Sequence, residues 1–182
     1  MKKIALGLLI VAIIFGVIGC GFRETRTYNE QKVQEVKTVL GDENDQVHTA
    51  FYGNYEEKKD LIQSEELSSE GLVALCIYPY PMNLNSGIVQ SWFYDAIILT
   101  DITPEDQVMI ASFKDQLFST ALLLRDDLSS EGFVALCENS EVFDLKSKQV
   151  QKWFKSAYEN IQFSEEELQE ISNLNLDELE LF

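Results

Sequence analysis

The chain has 182 residues, 31 of them acidic and 14 basic, and its formal charge at neutral pH is −17. So acidic a protein repels nucleic acid and anionic lipid headgroups, which leaves a solvated acidic surface or a basic partner as the readings of the charge. A single histidine excludes metal sites built on imidazole clusters, and hydrophobic residues at 46% suffice for a core in one compact domain or two small ones.

Residues 1–20 read MKKIALGLLIVAIIFGVIGC. Lys2 and Lys3 make a cationic start, and Ile4–Ile18 is an uncharged run broken only by Gly7 and Gly16. That run falls short of the roughly 20 apolar residues a spanning helix needs, so it fits a secretory leader better than an uncleaved membrane helix. Its end, Val17-Ile18-Gly19-Cys20, resembles the lipobox of bacterial lipoprotein signal peptides. The resemblance covers these twenty residues alone. It implies that 1–19 is removed, that Cys20 becomes the first mature residue, and that its sulfur carries diacylglyceryl with palmitate-like chains. Each buried CH2 contributes about 0.8 kcal/mol, so two or more chains anchor stably where one does not. Gly21 is not the Asp that resembles an inner-membrane retention signal. The implied location is the periplasmic face of the outer membrane in a diderm, or the outer face of the plasma membrane in a monoderm.

Cleavage removes two basic residues and no acid, leaving 163 residues with a formal charge of −19. Residues 20–29 are expected to form a lipidated tether, and 30–182 a helical domain. Val33, Val36 and Leu40 suggest a short helix ahead of the main body.

The strongest feature of that body is a duplication. Glu66-Leu-Ser-Ser-Glu-Gly-Leu-Val-Ala-Leu-Cys76 returns 61 residues later as Asp127-Leu-Ser-Ser-Glu-Gly-Phe-Val-Ala-Leu-Cys137. Aligned without a gap, 45–97 and 106–158 are identical at 21 of 53 positions. About three or four would match by chance at ordinary amino-acid usage. The expected fold is all-α: unit one at about 42–100, unit two at about 103–161, and a capping helix over 164–182. About three helices are expected per unit.

In chain order, Asp42-Glu43-Asn44-Asp45 has the acids of a calcium loop but lacks the Gly and the terminal Glu in register, so a helix start is the better reading. The apolar stretch Gly71–Cys76 is too short for periodicity to decide. The Ser-Ser-Glu ahead of it favours helix, with an α+β alternative holding short strands at 71–77 and 132–137. A helix beginning near Asn83 carries Val89, Trp92, Phe93, Ala96 and Ile97. Thr103 and Pro104 open a helix expected to run to about Leu124. Asp144 is placed to cap a helix over 145–161, whose Val150, Trp153, Phe154, Ala157, Tyr158 and Ile161 share one face. Ser164 and Glu167 have capping-box spacing, with Phe163 and Leu168 as a staple. Trp92, Phe93, Trp153 and Phe154 are expected to form the repeat core or the seam between units.

The chemical inventory is thin. His48 would be the base of any Ser or Cys triad, yet Met109 holds its place in unit two. No Gly-x-Ser-x-Gly or phosphate-cradling Gly loop is present. The expectation is therefore a non-enzyme without cofactor or metal. Cys76 and Cys137 stand at equivalent places in an oxidising compartment, so they are candidates for a bridge. Closing that loop would add about 4 kcal/mol in the chain-entropy view; two separate buried thiols are the alternative. Where unit two has Glu138–Phe143, unit one has Ile77 followed by Tyr78, Pro79, Tyr80, Pro81 and Met82. A proline-stiffened aromatic loop loses little entropy on binding, which makes it the candidate partner contact.

Three functions are open at this point. One is a lipid-anchored binding protein that holds, neutralises or excludes a basic protein, as immunity and exclusion lipoproteins do. The second is a structural lipoprotein of an envelope assembly, and the third is an unrecognised hydrolase.

Overall fold

The computed structural model describes residues 44–174 together with Leu176 and Leu179. The leader, Cys20, the tether and the short helix expected around 33–40 lie outside the described residues.

Unit one holds α1 (Asp45–Tyr52), α2 (Tyr55–Ile62), α3 (Ser69–Ile77) and α4 (Gly87–Leu99). Unit two holds α5 (Pro104–Ala111), α6 (Gln116–Leu123), α7 (Ser130–Glu138), a 3-10 turn (Ser140–Val142) and α8 (Lys148–Asn160). The closing helix is α9 (Glu165–Asn173). Among the described residues there are nine α-helices and no strand, so the fold is all-α and the strand alternative for 71–77 and 132–137 is overturned. None of these helices is long and apolar enough to cross a membrane.

The expected helix over 103–124 is two helices, which makes four per unit rather than three. α5 stops at Ser112, Lys114 takes a left-handed φ of 55°, and Asp115 starts α6 by accepting from the amides of Leu117 (2.9 Å) and Phe118 (3.2 Å). Asn54 does the same for α2, accepting from Glu56 (2.9 Å) and Glu57 (3.2 Å). A capping side chain in mid-pattern satisfies two orphan amides and so ends one helix and begins another. Asp144 likewise differs from expectation. It accepts from Lys146 N at 3.2 Å in a turn, and α8 starts only at Lys148.

The helices lie in two layers. The odd-numbered ones form a row in which α1 packs on α3, α3 on α5, α5 on α7 and α7 on α9. The even-numbered ones form the other row, with α6 seated on α4. Phe93, Phe118, Phe133 and Phe154 are all essentially inaccessible. Phe93 and Phe118 meet across the seam between the units at 5.2 Å between ring centroids. Leu176 and Leu179 are buried beyond α9.

Repeated identities correspond to repeated hydrogen bonds. Gln46, on α1, donates from Nε2 to Glu66 O (2.8 Å) and accepts from Ser68 N (2.7 Å). Gln107, on α5, donates to Asp127 O (3.2 Å) and accepts from Ser129 N (2.8 Å). Each glutamine thus clamps the turn that enters the next buried helix. Ser68 and Ser129 then cap that helix through the amides of Gly71 (3.1 Å) and Gly132 (3.0 Å). The glycines are required by proximity. A Cβ on Gly71 would lie 2.7 Å from Gln46 Oε1, and one on Gly132 would lie 2.8 Å from Gln107 Oε1. A second clamp repeats later, with Gln90 on Leu84 O and Gln151 on Leu145 O, each at 2.9 Å.

Among the described residues, polar links at two places join the units. Ser69 Oγ donates to the buried Asp106 carboxylate at 2.5 Å, and Thr103 N donates to Ser69 Oγ at 3.2 Å. Arg125 is buried, donates to Ile97 O near the end of α4, and forks onto Asp127 at 2.6 and 2.7 Å. A guanidinium suits a helix C-terminus, where carbonyls lack partners.

Candidate functional site

The units differ most at the outer end of unit one. α6 buries Phe118, Ser119, Ala121, Leu122 and Leu123 because α4 lies against it. α2 occupies the same register, and among the described residues no preceding unit lies beside it. At the positions of Phe118 and Ala121 it carries the exposed acids Glu57 and Asp60, and it buries only Lys58 and Ile62. A capping box closes its start: Asn54 accepts from Glu57 N, and the Glu57 carboxylate accepts from Asn54 N at 2.7 Å.

Lys58 is the unusual residue here, because its side chain has no accessible surface. Its ammonium donates to Tyr78 O (2.8 Å) and to Tyr80 O, and it lies 4.5 Å from the centroid of the Tyr78 ring. No carboxylate pairs with it among the described residues. Burial lowers its pKa from 10.5 to about 8. Ser119 stands in its place in unit two, with a buried hydroxyl that has no hydrogen-bond partner.

Above Lys58 lies the aromatic loop. Tyr78 and Pro79 are half-buried, Tyr80 and Pro81 are exposed, and the Tyr80–Pro81 bond is cis. Met82 turns inward and is buried, so it does not share the contact surface with the other four. Ring contacts run from Phe51 to Tyr78 (6.4 Å) and on to Tyr80 (6.3 Å). Tyr80 is 70% exposed, Tyr52 is 55% and Tyr55 is 37%. Tyr55 lies 6.5 Å from Trp92. The equivalent place in unit two is polar: Asn139 is buried and donates to Ala135 O (2.8 Å), and Glu141 pairs with Lys114 at 2.5 Å. That bond holds the Glu141 carboxyl below the usual carboxylate range.

The tryptophans stand at the rim rather than in the centre, half-buried, while Phe93 and Phe154 beside them fill the core. Trp153 lines an open groove of about 630 Å³ between α8 and the α6–α7 turn, with Leu128, Ser156 and Asn160. Cys76 and Cys137 are separate, buried, free thiols, so the bridge considered from their pairing in sequence is not formed. α5 packs on both α3 and α7, the helices that carry the two thiols. Burial pushes both thiols up, aided by the charge of Asp115 at Cys76 and of Glu138 at Cys137, which makes thiolate chemistry unfavourable. His48 lies tilted against Tyr52, with ring centroids 4.9 Å apart. Among the described residues no group of three His, Cys, Asp or Glu side chains could hold a metal ion.

Asn44, from the acidic run at 42–45, caps α1 by accepting from Gln46 N at 2.9 Å, which fits a helix start. Lys58 belongs to no motif in the chain. Its one sequence signal is a lysine standing where the other copy has serine, in the charged segment Glu56-Glu57-Lys58-Lys59-Asp60. No protein-family model matches the chain, and neither does any curated protein or solved structure.

Proposed function

We propose that this chain is a lipid-anchored protein of the bacterial envelope that binds a basic protein partner without catalysis, in the manner of an immunity or exclusion factor. The anchor rests on Val17-Ile18-Gly19-Cys20. The binding role rests on one observation above all: Tyr80, Tyr52 and Tyr55 are exposed, as are Glu56, Glu57 and Asp60 on α2, and among the described residues no further unit precedes α1 and α2. Aromatic rings supply contact area at low entropic cost. Carboxylates around them favour a cationic partner, both in steering and in discrimination.

The test is capture from the envelope and from secreted material of competing strains, with three baits: the native chain, Tyr80→Ala, and Glu57→Lys combined with Asp60→Lys. The reading expects one basic protein held by the native chain and lost by both altered ones. Capture that is indifferent to these changes refutes the assigned surface. A mass spectrum of the native protein tests the anchor separately: an acylated Cys20 start supports it, and an intact Met1 refutes it.

A further inference from the structure

We infer that Lys58 is the positioning residue of the Tyr78–Pro81 loop, a buried ammonium whose bonds to the loop's carbonyls set how Tyr80 is presented. The inference rests on the binding role proposed for that loop and adds the element that controls it.

The two copies diverge at both ends of this contact. Unit two has Ser119 for Lys58, and Asn139, Ser140 and Glu141 for Tyr78, Pro79 and Tyr80. In unit one the lysine and the loop are 20 and 22 residues apart, yet the fold brings them into contact: the Lys58 ammonium bonds Tyr78 O at 2.8 Å and also bonds Tyr80 O. Tyr78 is the residue after α3, so its carbonyl belongs to a helix end that lacks partners of its own. Tyr80 O lies in a loop with no repeating hydrogen-bond pattern. One further bond holds the loop, from Met82 N to Pro79 O at 2.8 Å. Without the ammonium, both loop carbonyls would lose this donor. In unit two the Met82–Pro79 bond has its equivalent in Phe143 N on Ser140 O at 3.0 Å, but the Lys114–Glu141 pair at 2.5 Å stands in place of the buried lysine. Each unit therefore carries its own device for the same turn, and the device in unit one leaves an aromatic ring exposed.

Burial without a carboxylate makes this ammonium a sensitive reporter. α2 packs on α1, α3 and α4. The charged or titratable groups on those helices are Asp45, His48 and Tyr52 on α1, Glu70 and Cys76 on α3, and Tyr94 and Asp95 on α4. On α2 itself they are Tyr55, Glu56, Glu57, Lys59 and Asp60, and Tyr78 and Tyr80 are in the loop. None of these side chains is hydrogen-bonded to Lys58, and burial is what lowers its pKa to about 8.

The test uses the full-length chain and needs no partner. In NMR, the Lys58 Nζ signal should titrate near pH 8, and the backbone carbonyl signals of Tyr78 and Tyr80 should shift with the same midpoint. In Lys58→Met the carbonyl step should vanish, and exchange of the Met82 amide should quicken about tenfold, the scale of one lost charge-assisted bond. The Phe143 amide should be unaffected. Carbonyl signals that ignore the lysine, or an unchanged Met82 rate, would overturn the inference. Should Lys58→Met fail to fold, the titration of the native chain still decides. A loop that behaves as expected, combined with capture indifferent to Tyr80→Ala, would leave this inference standing and remove the binding role.

Discussion

Gln107 and Gly132 give the sharpest test of how the repeat works. Gln107 is 2% exposed and makes three hydrogen bonds: its Nε2 donates to Ile102 O and Asp127 O, each at 3.2 Å, and its Oε1 accepts from Ser129 N at 2.8 Å. At about 0.5–1.5 kcal/mol net for each bond, with more where a buried group is left unsatisfied, Gln107→Ala should cost about 2–4 kcal/mol. Gly132→Ala should also destabilise, because the new Cβ would sit 2.8 Å from Gln107 Oε1 and would force the amide out of its clamp. Its cost should be about 1–3 kcal/mol, despite the better helix propensity of alanine. The two changes break the same clamp, so the double variant should cost less than the sum by about 1 kcal/mol or more. Urea unfolding of the four proteins, with unchanged dependence on denaturant, measures this directly. Costs that add within about 0.5 kcal/mol would refute the claim that the repeated glycine exists to make room for the repeated glutamine.

Gly87 opens α4, and a Cβ added there would meet nothing within 4 Å, so Gly87→Ala should stabilise by about 0.5–1 kcal/mol in the same assay. Asp106 has its pKa raised, chiefly by burial, against the lowering effect of bonds from Ser69 and Thr103. The folded state therefore holds this proton to higher pH than the unfolded chain, and stability falls as pH rises from about 4 through the folded value. Asp106→Asn should remove that component, seen as a flatter dependence of the urea midpoint on pH. Asp127→Ala strips the acidic partner from the Arg125 guanidinium, whose side chain is 2% exposed. Because Asp127 itself is 58% exposed and Ile97 O still accepts from the guanidinium, it should cost about 1–2 kcal/mol in urea, whereas the same change at the exposed Asp126 should fall within about 0.5 kcal/mol.

Much of the architecture is legible in the chain. The 61-residue offset places every helix of unit two from its counterpart to within a residue or two, because identical clamps (Gln46 and Gln107) and caps (Ser68 and Ser129) recur and Asn54 and Asp115 cap alike. Ser164 with Glu167 announces α9, and the capping box forms as written. What misleads is continuity of apolar spacing. Over 103–124 the pattern favours one long helix, and only Asp115, a side chain able to serve two amides, ends it. Asp144 misleads in the opposite sense, because an acid that closes a turn looks the same in sequence as one that caps a helix.

The candidate site is legible only in half. The Tyr-Pro-Tyr-Pro run is visible as a departure from the repeat, and it depends on local chemistry alone. That Met82 turns inward and Lys58 lies beneath the loop are results of packing. The chain's own order of residues determined helices, caps and the repeat, since each depends on groups within a few positions of one another. Tertiary structure decided that α2 buries less than α6, that the cysteines stay apart, and that a lysine is buried. These outcomes depend on which surfaces a neighbouring helix removes from water, and no local pattern carries that information.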